Sequence, residues 1–184
     1  MRRLGRSPMA LAGGLILLVV VVASAGAPLL TSADPLKPSF GRRLQPPRAL
    51  GGASAYVLGT DNLGRDIFAR LIYGGRISLT LAGSAVVLAA GAGVVVGLAA
   101  GVLGGRVDDF VMRLADVQLA FPVIMLAIAF VAVIGTSPAA LVAVLALAGW
   151  VLYARTVRAN VLTIRQLEYV EAARGLGASE VRLI

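Results

Sequence analysis

The sequence has no cysteine and no histidine. Disulfides, thiolate nucleophiles, haem ligation through His or Cys and the usual zinc sites are therefore excluded, and no redox compartment can be read. Lysine occurs once, at Lys37, and is followed by Pro38, so there is no G-x-x-x-x-G-K-[ST] loop to cradle a nucleotide phosphate. Charge is scarce: 14% of the 184 residues are charged and 5% are aromatic, against about 25% charged in an average soluble domain. Acidic residues are outnumbered, 9 against 17 basic, for a net charge of +8. A basic excess fits a nucleic-acid partner, an anionic membrane surface or topology signals beside membrane spans. Most of the Arg residues lie in loops next to apolar runs, without the interleaved aromatics of a base-stacking surface, which argues against nucleic acid.

Apolar residues are abundant, at 59% with a mean hydropathy of +0.91. This composition predicts an all-α polytopic protein embedded in membrane lipid, organised by spans of about 20 apolar residues. Arg2, Arg3 and Arg6 precede an uncharged run from Met9 to Leu30, which places the N-terminus on the cytoplasmic side. The small-residue stretch Ala23-Ser24-Ala25-Gly26-Ala27 also fits a cleavable signal peptide, but the run is longer than a typical signal core of about 7–15 residues, which favours a retained helix. Residues 31–59 hold Pro35, Pro38, Pro46 and Pro47 and read as an extended outer loop. Gly59-Thr60-Asp61-Asn62-Leu63-Gly64-Arg65-Asp66 leads into an amphipathic helix over 62–73, capped by Thr60 or Asp61. Its apolar face of Leu63, Ile67, Phe68, Leu71 and Ile72 suits the membrane surface, with Gly74-Gly75 feeding into the next span. Its acids and arginines read either as a solvated face with a cap or as partner contacts.

A second span is predicted over 77–103, where Gly93, Gly97 and Gly101 clear one helix face for close packing, within the bundle or between subunits. A short charged loop from Gly104 to Asp116 follows, then a third span over 117–134 in which Pro122 kinks or delays the helix start. Residues 135–138 make an external turn. A fourth span over 138–153 ends on Trp150 and Tyr153 as interface anchors, with Arg155 and Arg158 beyond them. Four crossings place ten basic residues inside and seven outside, a small positive-inside bias. Apart from Asp116 near an end, no ionisable group lies within a span, which argues against an intramembrane enzyme.

Residues 160–184 are amphipathic and too charged to span. Glu171-Ala172-Ala173 falls on a short helix ending near Gly175 or Gly177, and Ser179 is placed to cap a new helix from Glu180. Small side chains on such an exposed helix suit a groove on a second protein, with Glu171 and Arg174 free to pair.

Glu171-Ala172-Ala173 with Gly177 resembles the EAA-x-x-x-G signature of ABC importer permeases. Tyr153-Ala154-Arg155-x-x-Arg158, Glu168-Tyr169-Val170, Gly59-Thr60-Asp61-x-x-Gly64-Arg65-Asp66 and Gly75-Arg76-x-Ser78-Leu79 are similar to the dipeptide/oligopeptide/nickel branch, to the second permease of its pair. The resemblance implies a multi-pass subunit of the bacterial inner membrane that does no ATP chemistry. Its coupling helix, with Glu171, Ala172, Ala173 and Gly177 docking, would meet a separate ATP-binding subunit that holds ATP and Mg. A second permease subunit and an extracytoplasmic solute-binding protein are implied as further partners, and the cargo is left open. Such permeases have six spans, continuing through a Leu-Pro pair and two more helices, whereas this sequence stops at Ile184 with neither. It is therefore expected to be a C-terminally truncated permease, unable to transport at this length. The alternative is a non-transporting truncated or structural membrane protein.

Overall fold

In a computed structural model, residues 7–52 and 55–178 are described. They form two compact units, one up to Thr80 and one from Leu81 onward. Among the described residues all regular elements are helical, and the one extended pairing is an isolated bridge between Thr60 and Asp66.

The first unit opens with α1, Pro8–Ala25. Ser7 caps it by accepting a hydrogen bond from the Ala10 amide, and Pro8 sits in the first turn, where its missing N–H costs nothing. The expected single run to Leu30 is divided: α1 stops at Gly26, and Pro28 lies in the one-turn helix α2, Ala27–Leu30. The side chains along α1 are largely exposed and apolar, Leu15, Ile16 and Leu17 among them, a surface suited to lipid.

Helix α3, Ile67–Leu103, is continuous through Gly74 and Gly75. The separate amphipathic helix expected over 62–73 is therefore the first turns of α3, and residues 62–66 are a turn outside it. At about 1.5 Å per residue α3 is about 55 Å long, well beyond a hydrocarbon core of about 30 Å. Its early turns meet α1, because the missing side chain of Gly75 admits the buried Ser24: a Cβ there would lie 2.5 Å from Ser24 Oγ.

In the second unit the expected loop from Gly104 to Asp116 is helix α4, Gly105–Ala120. Gly104 and Gly105, both at positive φ, turn the chain directly from α3 into α4, a conformation only glycine adopts cheaply. The expected third span is also redrawn. Pro122 excludes a helical conformation at Phe121, which is extended at φ −96° and ψ 136°. Of the two expected effects of Pro122, a kink or a delayed start, the delay is what occurs: α5, Val123–Ile134, begins only after Pro122, at 92° to α4. Alone, α5 spans about 18 Å, too short to cross. Helix α6, Pro138–Ile164, is capped by Ser137 and continues past the expected limit at Tyr153. It packs back against α5. Helices α1, α3 and α6 are each long and apolar enough to cross a membrane, and the bent α4–α5 pair supplies a fourth crossing if counted as one. The protein is thus an all-α polytopic membrane protein.

Candidate coupling surface and extramembrane loop

Helix α7, Glu168–Gly175, follows α6 after a tight turn at Gln166 and Leu167. The Ala178 amide donates to the Ala173 carbonyl at 3.1 Å, and Gly177 between them lies at φ 84°. This is the six-to-one bond of a Schellman end, which needs a left-handed residue where Gly177 stands. Val170 is buried, while Glu171 and Ala172 are exposed and Ala173 is half-buried. Tyr169 and Leu176, 65% and 90% exposed, give the same end of the chain two apolar projections. The cap expected at Ser179 and the helix from Glu180 lie outside the described residues, as does the side chain of Arg174.

Helix α7 hangs from a closely packed seam between α3 and α6. A Cβ on Gly93 would stand 2.5 Å from the Trp150 carbonyl oxygen and 2.6 Å from Tyr153 Cβ. One on Gly97 would meet the Ala154 carbonyl oxygen at 2.4 Å, and one on Gly101 the Val161 side chain at 2.8 Å. The glycine stripe thus faces α6 of the same chain, and the paired numbers rise together, so the two helices run parallel. Both therefore end on one side of the bundle, which puts α7 beside the α3–α4 junction.

Three polar contacts fasten that end. Arg165, the C-cap of α6, donates from Nη1 to the Gly101 and Val102 carbonyls at 2.8 and 3.0 Å. These carbonyls belong to the last turn of α3, which has no intrahelical donors left and favours a cation. Arg158 forms a two-pronged ion pair with Asp108 of α4, its Nη2 lying 2.5 Å from Oδ2, and both side chains are largely shielded. Arg155 pairs with Asp116 at a more exposed position. Further along, Gln118 donates to the Leu147 carbonyl at 2.7 Å and accepts from the Trp150 indole at 2.8 Å. Trp150 and Tyr153, expected as interface anchors, are half-buried.

In the first unit the Gly59–Asp66 motif is a knot that folds the Pro-rich segment onto the start of α3. The buried Thr60 accepts from the Gln45 amide at 2.9 Å and donates to the Arg42 carbonyl. Gly59 and Gly64 lie at φ 80° and 73°, and a Cβ on Gly64 would sit 1.9 Å from the Ser39 carbonyl oxygen. Asp61 accepts from the Leu63 and Arg65 amides, both at 2.9 Å, and pairs with the guanidinium groups of Arg65 and Arg70. Its partial burial raises the carboxyl pKa, but the amide donors and the Arg65 guanidinium outweigh this and hold it well below the ordinary carboxylate range. The helix cap is Asp66, accepting from the Phe68 and Ala69 amides at 2.8 and 3.3 Å; Thr60 and Asp61, expected in that role, organise the loop. The described residues of the 31–59 loop, 31–52 and 55–59, accordingly gather around the knot, with short helical turns at Phe40–Arg42 and Arg48–Leu50.

Residues 93–184 match the family model of the binding-protein-dependent transport system inner membrane component. The chain belongs to that family. Its first 47 residues also match the N-terminal TM domain of oligopeptide transport permease C. Among curated relatives, a di/tripeptide transport system permease protein of Pseudomonas aeruginosa is 39% identical over 95% of this chain and 58% of its own length. A glutathione transport system permease protein of Pectobacterium atrosepticum is 40% identical over 97% of this chain and 58% of its own. A nickel transport system permease protein of Escherichia coli is 43% identical over 75% and 50%. The chain thus spans just under three-fifths of the length of the first two. The family match covers α7 and the whole α3–α6 seam from Gly93 onward.

Asp108, Arg158, Arg165, Gln118 and Asp66 make contacts that local sequence reasoning did not assign. The signal for α4 was present: Val107, Val111, Leu114 and Gln118 recur at helical spacing, and this would have turned the expected loop into a helix facing α6.

Proposed function

We propose that this chain is a permease subunit of an ATP-driven importer, forming part of the translocation path for peptides or related small solutes. The observation that carries the reading is α7: a short helix with Glu171 and Ala172 exposed, closed by Gly177 in the left-handed conformation and held at the end of the α3–α6 seam. An exposed helix with small side chains suits a groove on a partner, and the family match over residues 93–184 makes a separate ATP-binding subunit the fitting occupant. ATP and Mg belong to that subunit, and Glu171, Ala172, Ala173 and Gly177 make the docking contact. Arg2, Arg3 and Arg6 favour a cytoplasmic N-terminus. With four crossings that orientation also puts α7 in the cytoplasm and the knot at residues 59–66 outside. A second permease subunit would complete the path, and a solute-binding protein would deliver cargo of the kinds named for the relatives, di- and tripeptides, glutathione or nickel.

The test is copurification from membranes with an ATPase that carries the phosphate-binding loop. Glu171→Lys and Gly177→Asp should each abolish the association while leaving the permease in the membrane. Normal association of both variants would remove α7 from the docking role.

A further inference from the structure

Arg165 caps the C-terminal end of α6 at the turn into α7, yet its guanidinium is spent on another helix. Nη1 reaches two carbonyls in the final turn of α3, Gly101 and Val102. About two turns earlier on α6, Arg158 holds Asp108 of α4 through both prongs of its guanidinium. Between these points a Cβ on Gly101 would clash with Val161, so the backbones of α3 and α6 are already in close contact. The joint carrying α7 is therefore tied to the C-terminal end of α3 and the N-terminal turns of α4. Those ties act beside the short turn at Gln166 and Leu167 that joins α7 to α6 and beside the burial of Val170.

We propose that Arg165, with the Asp108–Arg158 pair, is a mechanical strut that makes α7 and the α3–α4 junction move as one body. In this role Arg165, Asp108 and Arg158 are positioning residues, placed away from the docking face, and they decide which helices receive a displacement applied to α7. A charge-assisted bond to a carbonyl is suited to this task, because it is directional and strong where water is partly excluded. Loss of such a contact shifts a two-state balance by about tenfold or more. The strut is meaningful only if α7 is displaced by a partner, so it rests on the docking reading above.

The absence of native cysteine permits clean double labelling. Spin labels at Arg106→Cys on α4 and Gln166→Cys beside α7, both exposed positions, would be measured in the transporter assembled with its ATPase subunits. The two states compared are nucleotide-free and trapped with ATP and vanadate. With the native strut, one narrow distance should persist in both states. Arg165→Gln should keep the ATPase bound but broaden the distance in the trapped state, with loosened conformers rising about tenfold. Arg165→Lys keeps the charge and enough N–H donors for both carbonyls but on a shorter side chain, so it should fall between, and it stands in if Arg165→Gln fails to assemble. Asp108→Arg should restore the narrow distance lost in Arg158→Asp. A distance that stays narrow in Arg165→Gln, with the ATPase bound, overturns the strut and spares the docking reading. Failure of the unsubstituted permease to hold the ATPase at all overturns both.

Discussion

Replacing Gly97 with alanine should force α3 away from α6. The added Cβ would stand 2.4 Å from the Ala154 carbonyl oxygen and 2.9 Å from its Cα, whereas ordinary contact begins at 3.4 Å. These are backbone atoms that no rotamer change can move, so the helices must part locally by about 1 Å, the difference between 3.4 and 2.4 Å. Gly93 and Gly101 make comparable contacts on the same seam, so the separation is opposed at three places. Overpacking of this kind costs about 1–3 kcal/mol, a loss of roughly 5- to 150-fold in the folded-to-unfolded ratio. Gly91 on the same helix supplies the control, because a Cβ there meets nothing within 4 Å. Gly91→Ala should be neutral, or stabilising by up to about 1 kcal/mol through helix propensity. Denaturant unfolding of the purified protein in detergent measures both. A Gly97→Ala variant as stable as Gly91→Ala would refute the seam as a close backbone contact.

Other expectations concern the knot. Gly64→Ala combines a left-handed backbone with a Cβ 1.9 Å from the Ser39 carbonyl oxygen; it should open the loop to trypsin at Arg42, Arg43 and Arg48. Gly51→Ala, also at positive φ but in open space, should cost about 1–2 kcal/mol locally and leave the digestion pattern intact. Asp66→Ala removes the α3 cap and should cost about 0.5–2 kcal/mol, read as faster amide exchange at Phe68 and Ala69. The Asp61 carboxyl has a lowered pKa in the folded loop, so its stabilising contribution is complete above the ordinary carboxylate pKa and is lost only as pH falls below it. Protection of the Leu63 and Arg65 amides, corrected for intrinsic exchange, should hold from pH 7 to about pH 5 and decline below about pH 4; a decline centred near neutrality would contradict the pairing.

Elements governed by local rules were legible in advance. The apolar runs of α1, α3 and α6 show in composition, because a lipid-facing helix must be apolar along its whole length. Gly177 at the end of α7 follows from the requirement for a left-handed residue there. Features that depend on distant partners were not visible. Gly93, Gly97 and Gly101 announced a close approach, but only the structure shows that the approaching helix is α6. Trp150 reads as an interface anchor from its place near a span end, and its indole hydrogen bond to Gln118, far away in sequence, was not legible. Pro122 predicts a kinked or delayed third span, and α5 does start only after it, but the size of the bend was not legible. The extended Phe121 before it makes a complete break and frees α4 to lie at 92° to α5. The cap of α3 went to Asp66 instead of Thr60 or Asp61 because those two satisfy donors within the loop, a competition that sequence spacing does not resolve.

The central claim, that α7 receives an ATP-binding subunit, is tested most directly by proximity. Because the chain has no cysteine, Ala172→Cys places one thiol on the exposed face of α7, and a short cysteine-to-lysine crosslinker reports what lies within reach. The account predicts a crosslink to the copurified ATPase from Ala172→Cys and none from Val95→Cys, an outward-facing position within the α3 span. An intact complex in which Ala172→Cys gives no crosslink, or no more than Val95→Cys, would contradict it.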